Sequence, residues 1–404
     1  MGQNSNSDFK PIPLSVPTIG GNEWTYIKEC LDTNWLSYVG PFVSRFERDL
    51  ALRTGSRFAV AMNSGTSALH IALLTAGVEP DSEVVMPAIT FVAPANAVAY
   101  CRAWPVLVDI DPHDWQMDVG KVSDFLNKDC ITRDGKLWNR MTGRRISAIL
   151  PVHLLGDMAD VDAIADLAQQ FGLPVIEDAA ECLGATYKAR PIGALSPKID
   201  SEMRQVITSF NGNKIVTTGG GGAVLTDSER MANRGRHLST TAKSDPVKFQ
   251  HDEIGYNYRL NNICAALGTA QLERLDEFVA IKRGTAIKYE RVLQGSGCAR
   301  LHPESVSGRS IFWLYTVMTS EPSFPIVERL NGLGIQARPV WTPLYDLPMF
   351  HDRAYLSACD FAPKFHEHAM SLPSSVGITD GEIGIVAEAL RDSVDRISPS
   401  TLTA

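Results

Sequence analysis

An α/β fold, a largely parallel sheet covered on both faces by helices, is what this sequence predicts, and two observations carry the prediction. From about residue 22 to 280, short β-like runs alternate with segments of helical period, the order expected when each strand is followed by a crossover helix. The runs themselves are rich in apolar residues, as strands buried on both faces require.

Seven runs qualify as strands: "RFAVAMN", "EVVMPAITF", "WPVLVDID", "ISAILPVHL", "LPVIEDAA", "QVITSF" and "GGAVLTD". Between them, "SALHIALLTAGV" and "DVDAIADLAQQFG" place apolar residues three and four apart and supply helices. The stretch "AALGTAQLERLDEFVAIKRGTAIKYERVLQG" reads as one long or kinked helix leading out of the sheet. The alternation then restarts at "IFWLYTVMTS", "FPIVERLNGLGI" and "GEIGIVAEALRDSVD", which predicts a smaller α+β lobe. The expected division is an N-terminal arm over 1–21, a large domain over 22–284 and a small domain over 285–404.

Composition narrows the function. A chain of 404 residues that is 44% hydrophobic can bury the core of a multi-lobed enzyme. Its net charge of −8 is spread along the chain with no basic stripe to track a phosphate backbone, so nucleic acid is not an expected partner. No apolar run approaches the roughly 20 residues that span a bilayer, and "MGQNSNSDFKPIPLSV" lacks the apolar core of a signal peptide. The Met-Gly start resembles a myristoylation signal but has Asn6 where Ser or Thr is required, so a cytoplasmic location without a membrane partner is expected. The seven cysteines are scattered and never form C-x-x-C, which fits reduced, mostly buried thiols and no metal site.

Three motifs fall at strand ends, where open α/β sheets bind ligands. In "NSGTSALHIAL", Ser64, Gly65, Thr66 and Ser67 precede an apolar helix, so their amides and hydroxyls form either a phosphate seat or an ordinary helix cap. In "VIEDAAECLG", a buried strand ends in Glu177 and Asp178; Asp178 needs a cationic or donor partner such as a protonated heterocyclic nitrogen, or else serves as a cap. In "SFNGNKIVTTGGGG", Lys214 lies five residues after Ser209 and ahead of four glycines. This is not a phosphate-binding P-loop, because Asn213 separates Gly212 from Lys214, Ile215 stands where Ser or Thr is needed, and the glycines follow the lysine. A lysine amine, a strand-end aspartate, and a hydroxyl beside a helix N-terminus are together the parts of a pyridoxal 5′-phosphate site.

Six segments in order, "NSGTSALHIAL", "PAITFVAPANAV", "PVHLLGDMADVD", "VIEDAAECLGA", "SFNGNKIVTTGGGG" and "IGYNYRLNNICAALG", resemble the DegT/StrS family of nucleotide-sugar aminotransferases over nearly the whole chain. The resemblance implies the fold-type I architecture of pyridoxal-phosphate enzymes. The opening "IPLSVPTIGGNEWTYIKECLDTNWLS" and the wording around Lys214 are most similar to the branch that aminates C4 of a UDP-linked 4-keto-6-deoxy-N-acetylhexosamine, in the legionaminic acid and bacillosamine pathways.

The roles implied by that resemblance follow position by position. Lys214 is the Schiff-base lysine, Asp178 the partner of the ring nitrogen, and Phe91 stacks on the ring, the alternative being an aromatic in the core of a strand. Thr66, Ser67 and Ser209 bind the phosphate. Glu181 stands near the ring hydroxyl where relatives often have glutamine. Asn257 reaches the phosphate of a neighbouring subunit's cofactor, which implies a homodimer with shared sites. The donor is L-glutamate and the acceptor a nucleotide-linked 4-keto sugar. Arg259 and Arg338 are candidates for the glutamate carboxylates, and His153 and Tyr38 for the pocket wall. Two rivals share the fold: a sugar dehydratase, which carries histidine in place of the lysine, and a non-catalytic regulator that keeps the cofactor.

Overall fold

The computed structural model describes residues 10–397 apart from residue 246, so the myristoylation-like start lies outside the described residues. All seven expected strands form: β1 (Phe58–Met62), β2 (Glu83–Pro87), β3 (Trp104–Val108), β4 (Ile146–Ile149), β5 (Val175–Asp178), β6 (Arg204–Ser209) and β7 (Gly222–Thr226). They join one sheet in the order β1-β7-β6-β5-β4-β2-β3, closed at the far edge by Tyr355–Leu356. β7 runs antiparallel to both neighbours and the other pairings are parallel. Successive residues alternate between two cores: Val60, Ile207 and Val224 pack on one face, and Ala61, Val206 and Leu225 on the other.

A second apolar core forms around a four-stranded antiparallel sheet in which Tyr315–Thr319 pairs with Ala299–Arg300 and Ala369–Leu372, and Ala369–Leu372 with Arg338–Pro339. Helices Ser323–Gly332 and Asp380–Ile397 contribute Ile326, Leu330, Val386 and Leu390 to this core. Among the described residues no helix is long and apolar enough to cross a membrane. The seven cysteines are all free, and five are buried.

Three local features refine the sequence reading, and in the long or kinked helix the kinked alternative holds. The eighth strand, Tyr355–Leu356, is too short to show a period; it is held by the buried Asp109, whose carboxylate accepts hydrogen bonds from Ser357 Oγ (2.6 Å) and from the amides of Phe361 and Ala362 (both 2.8 Å) at the start of helix Phe361–His368. The long helix is two helices, Asn262–Glu273 and Leu275–Leu293, broken at Arg274, where φ and ψ are −107° and 7°. Residues 284 and 285 lie inside the second of them. In "EVVMPAITF" the strand stops at Pro87, and Phe91 lies in the turn before helix Ala93–Tyr100.

The register of β5 against β6 decides where the strand-end acids go. Arg204 pairs with Val175, so its side chain shares a face with Val175 and Glu177. There Arg204 Nε and Nη2 donate to Glu177 Oε1 (2.5 Å) and Oε2 (3.0 Å), and Nη2 also donates to the carbonyl of Ile192 (2.9 Å). Burial pushes the Glu177 carboxyl up, but the Arg204 charge and hydrogen bonds from His153 and Arg204 outweigh it and hold its pKa at about 2.

Truncating one member of a buried pair strands the other. Arg204→Ala should therefore lower unfolding free energy by about 3–5 kcal/mol in urea titration at neutral pH. Because the folded-state value is depressed below the ordinary 4.5, the pair's contribution is complete above about pH 4.5 and is lost as pH falls toward about 2. The variant should accordingly show a flatter acid limb than the parent over that window.

Candidate active site

The parallel strands end along one edge, and the loops leaving them enclose a cavity of about 800 Å³. Of the residues the sequence offered for cofactor and catalysis, Ser64, Gly65, Thr66, Phe91, Asp178, Glu181, Ser209 and Lys214 line it, and Ser67 and Asn257 do not.

The anion-binding end is set by strand register. Met62, Gly222 and Ser209 lie side by side across β1, β7 and β6. Two residues beyond Met62, Ser64 caps helix Gly65–Thr75 by accepting from the Ser67 amide (3.0 Å). The packing leaves no room for side chains: a methyl on Gly65 would stand 2.9 Å from Ser209 Cβ, and one on Gly222 would stand 2.4 Å from the Ser64 carbonyl oxygen. The helix start is thereby pressed against Ser209. The amides of Gly65 and Thr66 precede the first intrahelical acceptor, and among the described residues the hydroxyls of Thr66 and Ser209 make no hydrogen bond within the protein. Ser67 differs from expectation, because its hydroxyl is buried and already donates to Asn63 Oδ1 (2.5 Å). Ser64 and Ser67 thus serve the cap, leaving Gly65, Thr66 and Ser209 to face an anion.

The opposite end holds two buried acids. Asp178 is 3% exposed, and among the described residues its carboxylate accepts one hydrogen bond, from the Ala180 amide (3.0 Å). Burial pushes its pKa up to about 6, against the pull of that amide and of the Lys214 charge. Glu181 accepts from the Leu155 amide (2.8 Å) and stands 3.5 Å from Lys214 Nζ; burial pushes its carboxyl up to about 7, opposed first by the Lys214 charge. His153 is fully buried; the Ala159 amide donates to its Nδ1 (3.2 Å), which leaves Nε2–H to donate to Glu177 (3.1 Å). It is a structural member of the Glu177–Arg204 network.

Lys214 sits in the loop joining β6 to β7. The base of that loop is closed by Phe210 N–H to Gly221 O (2.8 Å) and Thr218 N–H to Phe210 O (2.9 Å). Its amine lies 3.7 Å from the centroid of the Trp313 indole, and Trp313 Nε1 donates to the carbonyl of Asn213 (2.8 Å). Phe91 is 56% exposed on the cavity wall, so the core-strand alternative does not hold.

Of the remaining candidates, Arg259 is committed elsewhere: its Nη2 donates to Glu47 (2.7 Å) and its Nη1 to the Ala61 carbonyl (2.8 Å), which removes it from carboxylate binding. Tyr38 does not line the cavity. Arg338 does, on strand Arg338–Pro339, and makes no ion pair among the described residues. Asn257 is exposed outside the cavity, with its carbonyl accepting from Asn63 Nδ2 (3.3 Å). Sequence reasoning missed Trp313 and the arm residues Leu14 and Ser15, which also line the cavity. Trp313 stands in an apolar run read only as a strand, and nothing in one-dimensional spacing ties it to a lysine about a hundred residues earlier.

Residues 17–391 match the model of the DegT/DnrJ/EryC1/StrS aminotransferase family. The chain belongs to this family. It is 37% identical to a GDP-perosamine synthase of Caulobacter vibrioides over 95% of this chain and 98% of that one. It is 38% identical to EpsN of Bacillus subtilis, described as a putative pyridoxal phosphate-dependent aminotransferase, over 94% and 95% of the two chains. Among solved structures, the aminotransferase TlmJ of Streptoalloteichus hindustanus superposes with a TM-score of 0.84 at 26% identity, covering 96% of this chain and all of that one.

Membership of the DegT/DnrJ/EryC1/StrS aminotransferases brings pyridoxal 5′-phosphate as the cofactor, and the residues present fit it. A buried acid short of partners suits a protonated ring nitrogen, the Gly65–Ser209 cradle suits a phosphate, and the Lys214 amine opens on the same cavity.

Two outcomes test this geometry. Gly222→Ala should abolish cofactor retention after gel filtration, whereas Gly220→Ala, where a methyl meets no atom within 4 Å, should retain it. In the cofactor-free protein, Asp178→Asn should melt higher than the parent at pH 8, by up to about 3 kcal/mol. The folded-state pKa is raised, so the charged acid costs stability as pH rises from about 4 to about 6, and the gap should close toward pH 4.

Proposed function

We propose that this chain is a ping-pong aminotransferase that moves the amino group of L-glutamate to C4 of a nucleotide-linked 4-keto-6-deoxy sugar. The observation that carries the reading is the meeting, in one cavity, of the Lys214 amine with Glu181 at 3.5 Å, the buried Asp178 and the Gly65–Thr66–Ser209 cradle. Bound pyridoxal 5′-phosphate supplies a ring that accepts the electron pair released when a proton leaves the carbon bearing the transferred nitrogen.

The chain's own residues do the rest. Ser209 and Thr66 donate to the phosphate together with the first-turn amides of the helix. Asp178 accepts a hydrogen bond from the ring nitrogen and keeps it protonated, which satisfies the carboxylate's own need for a cation. Phe91 covers one face of the ring. Lys214 would hold the cofactor covalently through its amine and, when free, would take the proton from Cα of the donor. Glu181, held near neutrality by burial, exchanges protons with Lys214. Arg338 takes a carboxylate of glutamate. Asn257 faces away from its own cavity and completes the site of a second subunit, making the working unit a homodimer.

For the acceptor, the motif wording favours UDP-2-acetamido-2,6-dideoxy-4-keto-hexose, and the names of relatives described as GDP-perosamine synthases favour a GDP-linked sugar. The lysine at position 214 weighs against the dehydratase, and the absence of a basic stripe against a nucleic-acid-binding regulator.

The test follows the cofactor's absorbance. L-Glutamate should convert the aldehyde spectrum to that of the amine, and a panel of UDP- and GDP-linked 4-keto sugars should restore it with one member and not the others. Lys214→Ala should lose the glutamate response by at least about 100-fold in rate; a variant that kept it would remove Lys214 from the mechanism.

A further inference from the structure

Lys214 is gripped at two points by one side chain from another part of the fold. The Trp313 indole presents its face to the amine at 3.7 Å, and its Nε1–H donates to the carbonyl of Asn213, the residue immediately before the lysine, at 2.8 Å. That carbonyl receives a second donor, Ser15 Oγ, at 3.3 Å. Trp313 is 4% exposed and is itself fixed from behind: the buried Lys282 amine donates to the Trp313 carbonyl (2.6 Å) and to the Ser374 carbonyl (2.5 Å). The charged groups facing Lys214 are Glu181 and, further off, Asp178.

We propose that Trp313 is a positioning residue for the free form of Lys214, seating the ammonium between its indole face and the Glu181 carboxylate while the lysine is not covalently engaged. A transamination site must release its lysine for half of the cycle, and a released side chain with four rotatable bonds wanders unless something receives it. The indole face receives the charge without forming a bond that must later be broken, and the tether to Asn213 holds the backbone so that the amine returns to the same place. Glu181 offers charge at 3.5 Å; Trp313 supplies a second, uncharged wall at 3.7 Å, which an acid could do only by adding a third carboxylate beside Glu181 and Asp178. The inference rests on Lys214 carrying the amine of the site and is independent of which sugar is accepted.

The test reads the lysine rather than turnover. Full-length protein, loaded with pyridoxamine 5′-phosphate and again with cofactor removed, is treated with trace acetic anhydride at fixed pH. Acetylation of Lys214 and Lys282 is then quantified by peptide mass spectrometry. Trp313→Leu should raise the Lys214 rate by between about 2-fold and about 30-fold, the range that loss of a partly desolvated cation–π contact gives. Lys282 should stay protected, and Trp313→Phe, which keeps a ring face, should return the Lys214 rate most of the way to that of the parent. An unchanged Lys214 rate in Trp313→Leu overturns the proposal. So does a parallel rise at Lys282, which marks general loosening, or equal rates in the Leu and Phe variants. A failed sugar assignment would leave all of these rates untouched.

Discussion

Adjacent residues on a strand must face opposite sides of the sheet, and at the end of β5 that constraint separates two carboxylates by function. Glu177 turns toward Arg204 and His153, which satisfy it from within the fold. Asp178 turns toward the cavity, where among the described residues its carboxylate accepts one amide hydrogen bond and no ion pair, with the Lys214 charge acting from further off. One side of the strand is closed and the other open. The cost of the open side is borne by the folded protein as an acid whose pKa is raised to about 6.

The second organising feature is the direction of β7. Because it runs antiparallel beside β6, the chain returns by a hairpin rather than by a crossover helix, and the connecting loop stays at the carboxyl edge of the sheet with Lys214 on it. The same strand places Gly222 between Met62 and Ser209, which draws the helix start against the serine. Lys214 and the Gly65–Thr66–Ser209 cradle are therefore fixed by a single pairing. A one-residue slip of β7 would misplace both.

Much of this was legible in the sequence because the deciding signals are local. The apolar runs predicted all seven central strands, and the five-residue spacing from Ser209 to Lys214 survives as two positions on one loop-and-strand unit. What was not legible depends on distant partners. Tyr355–Leu356 is a strand only because Asp109 and β3 hold it. Arg259 looks like a free guanidinium until Glu47 is folded against it. Ser67 looks like a phosphate ligand until Asn63 Oδ1 accepts its hydrogen bond. Trp313 carries no motif; its meaning comes from the lysine it covers.

The edge strand Tyr355–Leu356 also imposes an order of events on the ribosome. It covers β3, which is synthesised about 250 residues earlier, and at typical elongation rates that interval is roughly 12 to 50 s. Throughout it, the nascent chain presents a parallel strand, "WPVLV", with its outer hydrogen-bonding groups unpaired and apolar side chains on both faces. Neighbouring chains on one polysome would present that same unpaired edge to one another until Tyr355–Leu356 is made.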